Sequence, residues 1–346
     1  MLYINSYNIH QGGGKTLLLN LLMCKIIGDI PHLFLLDSRL ESNLAKHFLK
    51  TRIISPSIFC RLKAEWQLFR LVKKNDKLLC FGNLPPLFPS CGHVSVFLQN
   101  RYLLRTSTLS GLTFKEKLRI TIERIWLKKC AQHVDHFIVQ TPTMKSLLKK
   151  TIGNNHKILI APFMPSSKLP IKKANKSEKI QYDFIYVASG ESHKNHRNLI
   201  EAFCLLADDN IYPSLCLTLD KKIFLELHTW IENKKIEHHL KIENIGLISH
   251  QEVLQKYECT RALIYPSFFE SFGIPLLEAQ QQGISILAAE LDYVRDILNP
   301  DESFDPQSPV SIARSIKRFL RIQENELKIF DPEDFIKKIE SLTAKS

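Results

Sequence analysis

The sequence predicts an α/β fold with two doubly wound parallel sheets, one in each half of the chain, facing across a cleft. Three observations predict it. The 346 residues are more than twice the length of one typical domain. In both halves short apolar runs alternate with amphipathic runs of helical period, and strands separated by helices pair in parallel through crossover connections. Residues 166–179, polar and proline-containing with no usable period, divide the halves. We therefore expect a first Rossmann-like domain over 1–165, a linker over 166–179 and a second Rossmann-like domain over 180–325, followed by a tail over 326–346. Ligands of such sheets bind outside the carboxyl ends of the strands.

In the first half, apolar runs at 2–5, 33–36, 78–81, 94–98 and 137–139 read as strands, and 16–27, 62–72 and 115–130 as the helices between them. The second half is punctuated more cleanly. Strands are expected at 183–188, 214–219, 240–245 and 262–265, and helices at 198–206, 223–233, 251–257 and 275–282. The last helix opens on Pro275 and closes on Gly283, the preferred placement of those two residue types.

Apolar residues make up 45% and charged residues 24%, a globular balance that excludes disorder and collagen-like repeats. No apolar run approaches the ~18 residues of a membrane-spanning helix. The first 14 residues lack a charged segment followed by an apolar stretch, so no signal peptide is expected. Eight cysteines without a Cys-x-x-Cys pair read as buried free thiols in a reducing cytoplasm. His193 and His196 lie three apart with no third ligand in reach, so no metal site is expected. The net charge of +12 is uneven: residues 1–165 hold 24 Lys and Arg against 8 Asp and Glu, and residues 166–346 hold 23 against 27. Only the first half is therefore expected to meet a polyanion or an anionic membrane surface.

The segment 262–288 carries the strongest chemical signal. It reads as a buried strand, a turn holding Glu270, Ser271, Phe272 and Gly273, a helix from Pro275 with Glu278 in its first turn, and a second strand after Gly283. Free amides at such a helix start, with the helix dipole, form a phosphate site. Gly273 lets a ligand approach the backbone. Glu270 and Glu278, looking into the crevice, are natural acceptors for sugar or ribose hydroxyls. The plainer alternative is an ordinary turn with a favourable charge at the helix start.

This Glu-x7-Glu spacing around Ser271-Phe272-Gly273-Ile274-Pro275-Leu276-Leu277 resembles the donor-site signature of the retaining family 4 (group 1) glycosyltransferases of GT-B fold. The likeness continues into Gly283 and Tyr293-Val294-Arg295-Asp296. It implies that Glu270 contacts the donor sugar near its reacting carbon and Glu278 the ribose. The amides of Phe272, Gly273 and Ile274 would then face the sugar and diphosphate. Residues 183–203 resemble the family's strand, Lys-containing loop and following helix, which places Lys194 on the diphosphate. The arginine that the family often carries six residues earlier is Ala188 here, and whether His193 or Arg197 replaces it stays open.

Gly12, Gly13 and Gly14, between the first strand and the first helix, form a loop whose backbone can approach a phosphate or sugar. The family closes such a loop over the donor. A P-loop is the competing reading, suggested by Gly14-Lys15-Thr16 and by Asp37 after an apolar strand, but its first glycine would fall at Ile9. Where the family commonly presents a histidine from the first domain, residues 94–102 offer Gln99, Asn100 and Arg101. Asn100 can hydrogen-bond a sugar but cannot act as a base.

The resemblance implies transfer of a hexosyl group from a nucleoside diphosphate sugar to a hydroxyl of a glycan or lipid-linked glycan, with retention and without metal or other cofactor. Glu270 and Lys194 would carry the catalysis, Gly12–Gly14, Phe272, Gly273, Ile274 and Glu278 would bind the donor, and Gln99 and Asn100 would stand on the acceptor side. A helix around 334–342 returning to the first domain is implied as well. Two helices of the first half mix apolar and basic residues and suit the inner face of a cytoplasmic membrane, in surface polysaccharide or lipopolysaccharide synthesis. No nucleic-acid module is recognised. A P-loop ATPase, a catalytically silent sugar-nucleotide-binding protein and a sugar-nucleotide epimerase remain the alternatives.

Overall fold

Two wholly parallel sheets carry the chain. The computed structural model describes residues 1–10, 12–24, 30–40, 50–104, 112–164, 180–323, 331, 332 and 336. The expected linker and, apart from 336, the expected helix over 334–342 lie outside the described residues.

The first sheet contains β1 (Leu2–Ser6), β2 (His32–Asp37), β3 (Thr51–Ile54), β4 (Lys77–Cys80), β5 (His93–Phe97), β6 (His136–Val139) and β7 (Ile158–Ile160) in the order β3-β2-β1-β4-β5-β6-β7. The reversal of strand order beside β1 opens a crevice at the carboxyl edge there. The helices that connect these strands are α1 (Gly12–Leu22), α2 (Ile58–Leu71), α3 (Phe114–Cys130) and α4 (Pro142–Ile152). Each face of the sheet buries its own cluster. Leu17, Leu18 and Leu22 of α1 pack with Ile4, Phe34 and Leu36, and Ala64, Leu68, Leu127 and Leu148 with Val94, Val96 and Phe137.

The second sheet runs β10-β9-β8-β11-β12-β13. Its strands are β8 (Tyr182–Tyr186), β9 (Leu215–Leu217), β10 (Ile242–Asn244), β11 (Thr260–Tyr265), β12 (Ser285–Ala289) and β13 (Glu302–Phe304). Between and after them come α5 (His196–Asp208), α6 (Leu225–Glu237), α7 (His250–Glu258), α8 (Ile274–Gln282), α9 (Asp292–Arg295) and α10 (Pro309–Phe319). β8 and β11 are neighbours, so the loops that leave their carboxyl ends emerge side by side. The strand interiors are almost uniformly buried and apolar, as a parallel sheet covered on both faces requires.

Several expectations shift. The three glycines lie inside the first turn of α1 and not in a loop before it. The first helical amides have no intrahelical partner, so this turn is where glycine costs the helix least. Glu278 lies beyond the first turn of α8, because the helix begins at Ile274 and not at Pro275. β3, β7 and β13, short and at or near sheet edges, had no readable alternation. All eight cysteines are free, but Cys24, Cys60 and Cys91 are exposed, so burial holds for only part of the set.

Candidate active site

Lys194 and Glu270 meet at the carboxyl edge of the second sheet. The chain leaving β8 makes a single tight turn over Ser192–Lys194, and Asn195 follows in the left-handed region at φ 60°. The Asn195 amide secures that turn by donating to the carbonyls of Pro266 and Pro306, at 3.0 and 2.7 Å. The Phe268 amide donates to the His193 carbonyl, so the turn and the loop after β11 are bonded to each other. Lys194 Nζ stands 2.6 Å from Glu270 Oε1. Burial alone would raise the Glu270 carboxyl, but Lys194 and the other donors around it bring it below its ordinary value, so it is held as a carboxylate.

Beneath the pair lies a set of buried tyrosines. Tyr265 donates to Glu270 Oε1 at 3.1 Å, and Tyr186 donates to the Lys194 carbonyl at 2.6 Å. Tyr293 donates to the Ser267 carbonyl at 2.9 Å. Burial, followed by Glu270, pushes the Tyr265 and Tyr293 hydroxyls well up, so they remain donors. Neither Tyr186 nor Tyr265 stands out in the sequence as a site residue, and Tyr293 enters only through the likeness over residues 293–296, with no role attached to it. Each occupies a strand or helix position where a tyrosine reads as core.

Gly273 caps α8 in the left-handed conformation at φ 72°. A helix start of this kind leaves its first amides without intrahelical acceptors. Glu278, one turn on, is buried, and its Oε1 lies 2.7 Å from His250 Nε2 while Tyr257 approaches Oε2 at 3.5 Å. The hydrogen bond to Glu278 raises the His250 pKa against the opposing effect of burial.

The first sheet supplies the opposite wall. Ile274 packs on the core of that sheet. A Cβ added at Gly13 would stand 3.4 Å from Ile274 Cδ1, so the opening turns of α1 and α8 meet across the cleft. A Cβ at Gly14 would lie 3.5 Å from Gln99 Oε1, which puts Gln99 in the same corner. Asn100 caps a short turn over Arg101–Leu103, its side-chain oxygen accepting from the Tyr102 amide at 3.0 Å. Asn83 anchors this turn by accepting from the Gln99 and Asn100 amides at 2.6 and 2.8 Å.

The residues after Asn100 cross the cleft. Arg101 Nη1 donates to the Glu270 carbonyl at 3.3 Å, and its guanidinium lies 5.3 Å from the centre of the Phe269 ring. The Tyr102 hydroxyl and His193 Nδ1 share a hydrogen bond of 3.0 Å, and His193 stacks on Phe269 at 4.7 Å. Burial and then Lys194 hold the His193 pKa down to about 4, so its ring is neutral. A neutral His193 adds no charge to a phosphate. Arg197 faces Glu226 and the Trp230 ring, at 3.4 and 4.9 Å, and turns away from Lys194. Arg101 reaches this corner from the first sheet.

The model for glycosyl transferases group 1 matches residues 167–338, the part of the chain that holds Lys194, Glu270 and Glu278. The chain belongs to the group 1 glycosyltransferases. It is similar to the serotype-specific mannosyltransferase WbdA of Escherichia coli, with 24% identity over 238 residues, 58% of this chain and 27% of that protein. The matched part thus spans little more than a quarter of WbdA. The O-antigen chain mannosyltransferase RfbU of Salmonella typhimurium is 22% identical over 284 residues, 78% of this chain and 74% of RfbU. Among solved structures, Anabaena HepE in complex with UDP-glucose aligns with a TM-score of 0.66 at 14% identity, over 92% of this chain and 89% of HepE. The fold is GT-B.

A group 1 glycosyltransferase site accounts for the glycines and for Asp37 better than a P-loop does. Arg39 binds Asp37 through two side-chain hydrogen bonds of 2.8 and 2.6 Å, and the carboxylate is fully buried, so it is committed to Arg39 and not to a magnesium ion beside the glycines. Among the described residues no group of three or more His, Cys, Asp or Glu is arranged to hold a metal ion.

Proposed function

We propose that the chain transfers a hexosyl group from a nucleoside diphosphate sugar to a hydroxyl of a glycan or lipid-linked glycan, with retention of anomeric configuration. The observation that carries this reading is the Lys194–Glu270 pair beside the opening turn of α8, with the opening turn of α1 facing it. The diphosphate would lie along the Phe272, Gly273 and Ile274 amides with Lys194 on its leaving oxygens, where charge grows as the sugar departs. Glu270 would accept from the sugar hydroxyls and Glu278 from the ribose.

In the transfer step the bond from the anomeric carbon to the diphosphate oxygen breaks and a bond to the acceptor oxygen forms on the same face. The acceptor proton passes to the departing diphosphate, because Gln99 and Asn100 have no basic atom to take it. The donor needs no metal in this reading, since Lys194 and the helix amides offset the growing charge. The names of the curated relatives make mannose the first sugar to test, and a surface-polysaccharide or lipopolysaccharide glycan the first acceptor.

The test is release of nucleoside diphosphate from GDP-mannose and from UDP-hexoses, with and without a lipid-linked glycan acceptor and with EDTA present. Release that depends on acceptor, and transfer of label to it, is expected. Conversion of the donor without acceptor would indicate an epimerase. Binding without any release would indicate a silent binding protein.

A further inference from the structure

One turn of the first domain grips both loops that carry Lys194 and Glu270. The turn over Arg101–Leu103 is secured from behind by its own domain. Leu103 and Leu104 are sunk in the core of the first sheet. Arg124 of α3 donates to the Tyr102 and Leu104 carbonyls at 2.9 and 3.1 Å, and Asn83 holds the Gln99 and Asn100 amides. Backbone fastened at its entry and its exit has little freedom of its own, so Arg101 and Tyr102 stand on a fixed base.

The two side chains take different partners in the second domain. Arg101 Nη1 reaches the carbonyl of Glu270 itself, and the Tyr102 hydroxyl reaches His193, the residue before Lys194. Phe269 closes the group. His193 stacks on its ring with the planes 15° apart, Tyr102 meets it edge-on at 5.1 Å, and the Arg101 guanidinium lies over it. Burial, then Glu191 and Glu270, push the Tyr102 hydroxyl up to about 12, so it keeps its proton beside the neutral His193 ring. The Phe268 amide already ties its loop to the His193 carbonyl at 2.8 Å, so a shift in either loop reaches the other. Glu278, by contrast, is held from within the second domain by His250.

We propose that Arg101 and Tyr102 are positioning residues for the transfer step: through the Glu270 carbonyl and the His193 ring they fix Glu270 and Lys194 relative to each other and to the first domain. The inference rests on the catalytic reading of that pair. Asn100, on the acceptor side, caps the same turn, so one piece of backbone aligns the acceptor side with the groups that act on the donor. An alignment of this kind is spent on the rate of transfer and not on the affinity for nucleotide.

Arg101→Ala and Tyr102→Phe test this through two readouts. Hydrogen exchange on the full chain without nucleotide requires no activity: both variants should speed exchange of the amides of residues 268–270 by about threefold or more, with β8 and β11 unchanged. The bond from the Thr143 amide to Asp296, 2.9 Å, involves neither side chain, so the two halves stay joined in both variants. In transfer assays kcat should fall about 10²-fold for Arg101→Ala and roughly tenfold for Tyr102→Phe, with the Kd for nucleoside diphosphate within about twofold of wild type. Because Tyr102 acts through His193, adding Tyr102→Phe to His193→Phe should cost no further rate. Unchanged exchange over 268–270 in Arg101→Ala would overturn the proposal whatever the activity. So would a raised donor KM at constant kcat, which would make Arg101 a donor-binding group. A wild type that transfers from no donor, with exchange responding as expected, would overturn the catalytic reading, and with it the role in transfer, while leaving the grip on the two loops.

Discussion

Lys194 and Glu270, 76 positions apart in sequence, form an ion pair of 2.6 Å at the carboxyl edge of the second sheet. The two residues arrive there because β8 and β11 are adjacent parallel strands and each loop leaves the same edge. The carboxylate thus holds the lysine proposed here for the diphosphate.

Glu270→Gln should therefore separate binding from chemistry. The amide keeps an oxygen for the Tyr265 hydroxyl but no longer competes for Lys194. Nucleoside diphosphate should bind more tightly to this variant than to the wild type, while transfer falls by about 10²–10³-fold. Calorimetric titration alongside a transfer assay checks both signs at once, and weaker nucleotide binding would count against the role given to Lys194.

Gly273→Ala should lower stability by about 1–2 kcal/mol, the cost of a left-handed conformation for a residue with a Cβ. The added atom would also stand 3.0 Å from Leu276 Cδ1. Because the strain falls on the turn that aims the amides of α8, the KM for the donor should rise with it. Thermal unfolding and steady-state kinetics on the same preparation measure the two effects.

Two histidines of the site should respond to pH in opposite directions. The folded pKa of His193, about 4, lies below the ~6.5 of an unfolded histidine, so its contribution to stability is full above pH 6.5 and is lost as pH falls toward 4. His250 is raised by Glu278, so its contribution is full below pH 6.5 and is lost as pH rises through its folded value. His250→Gln should therefore cost more stability at pH 6 than at pH 8, and His193→Gln should flatten the loss of stability between pH 6.5 and 5. Melting temperatures across this range test both.

The reading from sequence succeeded where local chemistry is repetitive. Apolar strands and the Pro275 and Gly283 punctuation placed β8, β11 and α8 close to their observed bounds, and the spacing of Glu270 and Glu278 found two carboxylates that the fold sets around one helix start. What was not legible depends on pairing across distance. Tyr265 and Tyr293 look like core residues until the Glu270 carboxylate and the Ser267 carbonyl come within reach of their hydroxyls. Asn83, remote from any motif, fixes Gln99 and Asn100 through a single side-chain oxygen. Arg101 and Tyr102 touch Glu270 and His193 only because two sheets with no shared strand face each other. The opening of α1 was misplaced because a run of glycines signals a loop by propensity, whereas a helix's first turn tolerates it.

The most direct test is the thermal shift of the wild type, Lys194→Ala, Glu278→Ala and Lys15→Ala with UDP, GDP, ADP and ATP, each without and with magnesium. Stabilisation of the wild type by one nucleoside diphosphate, abolished in Lys194→Ala and Glu278→Ala, is the predicted result and names the donor nucleotide. Stabilisation only by ATP with magnesium, retained in those two variants and lost on Lys15→Ala, would contradict the assignment of Lys194 and Glu278 to a nucleotide-sugar site.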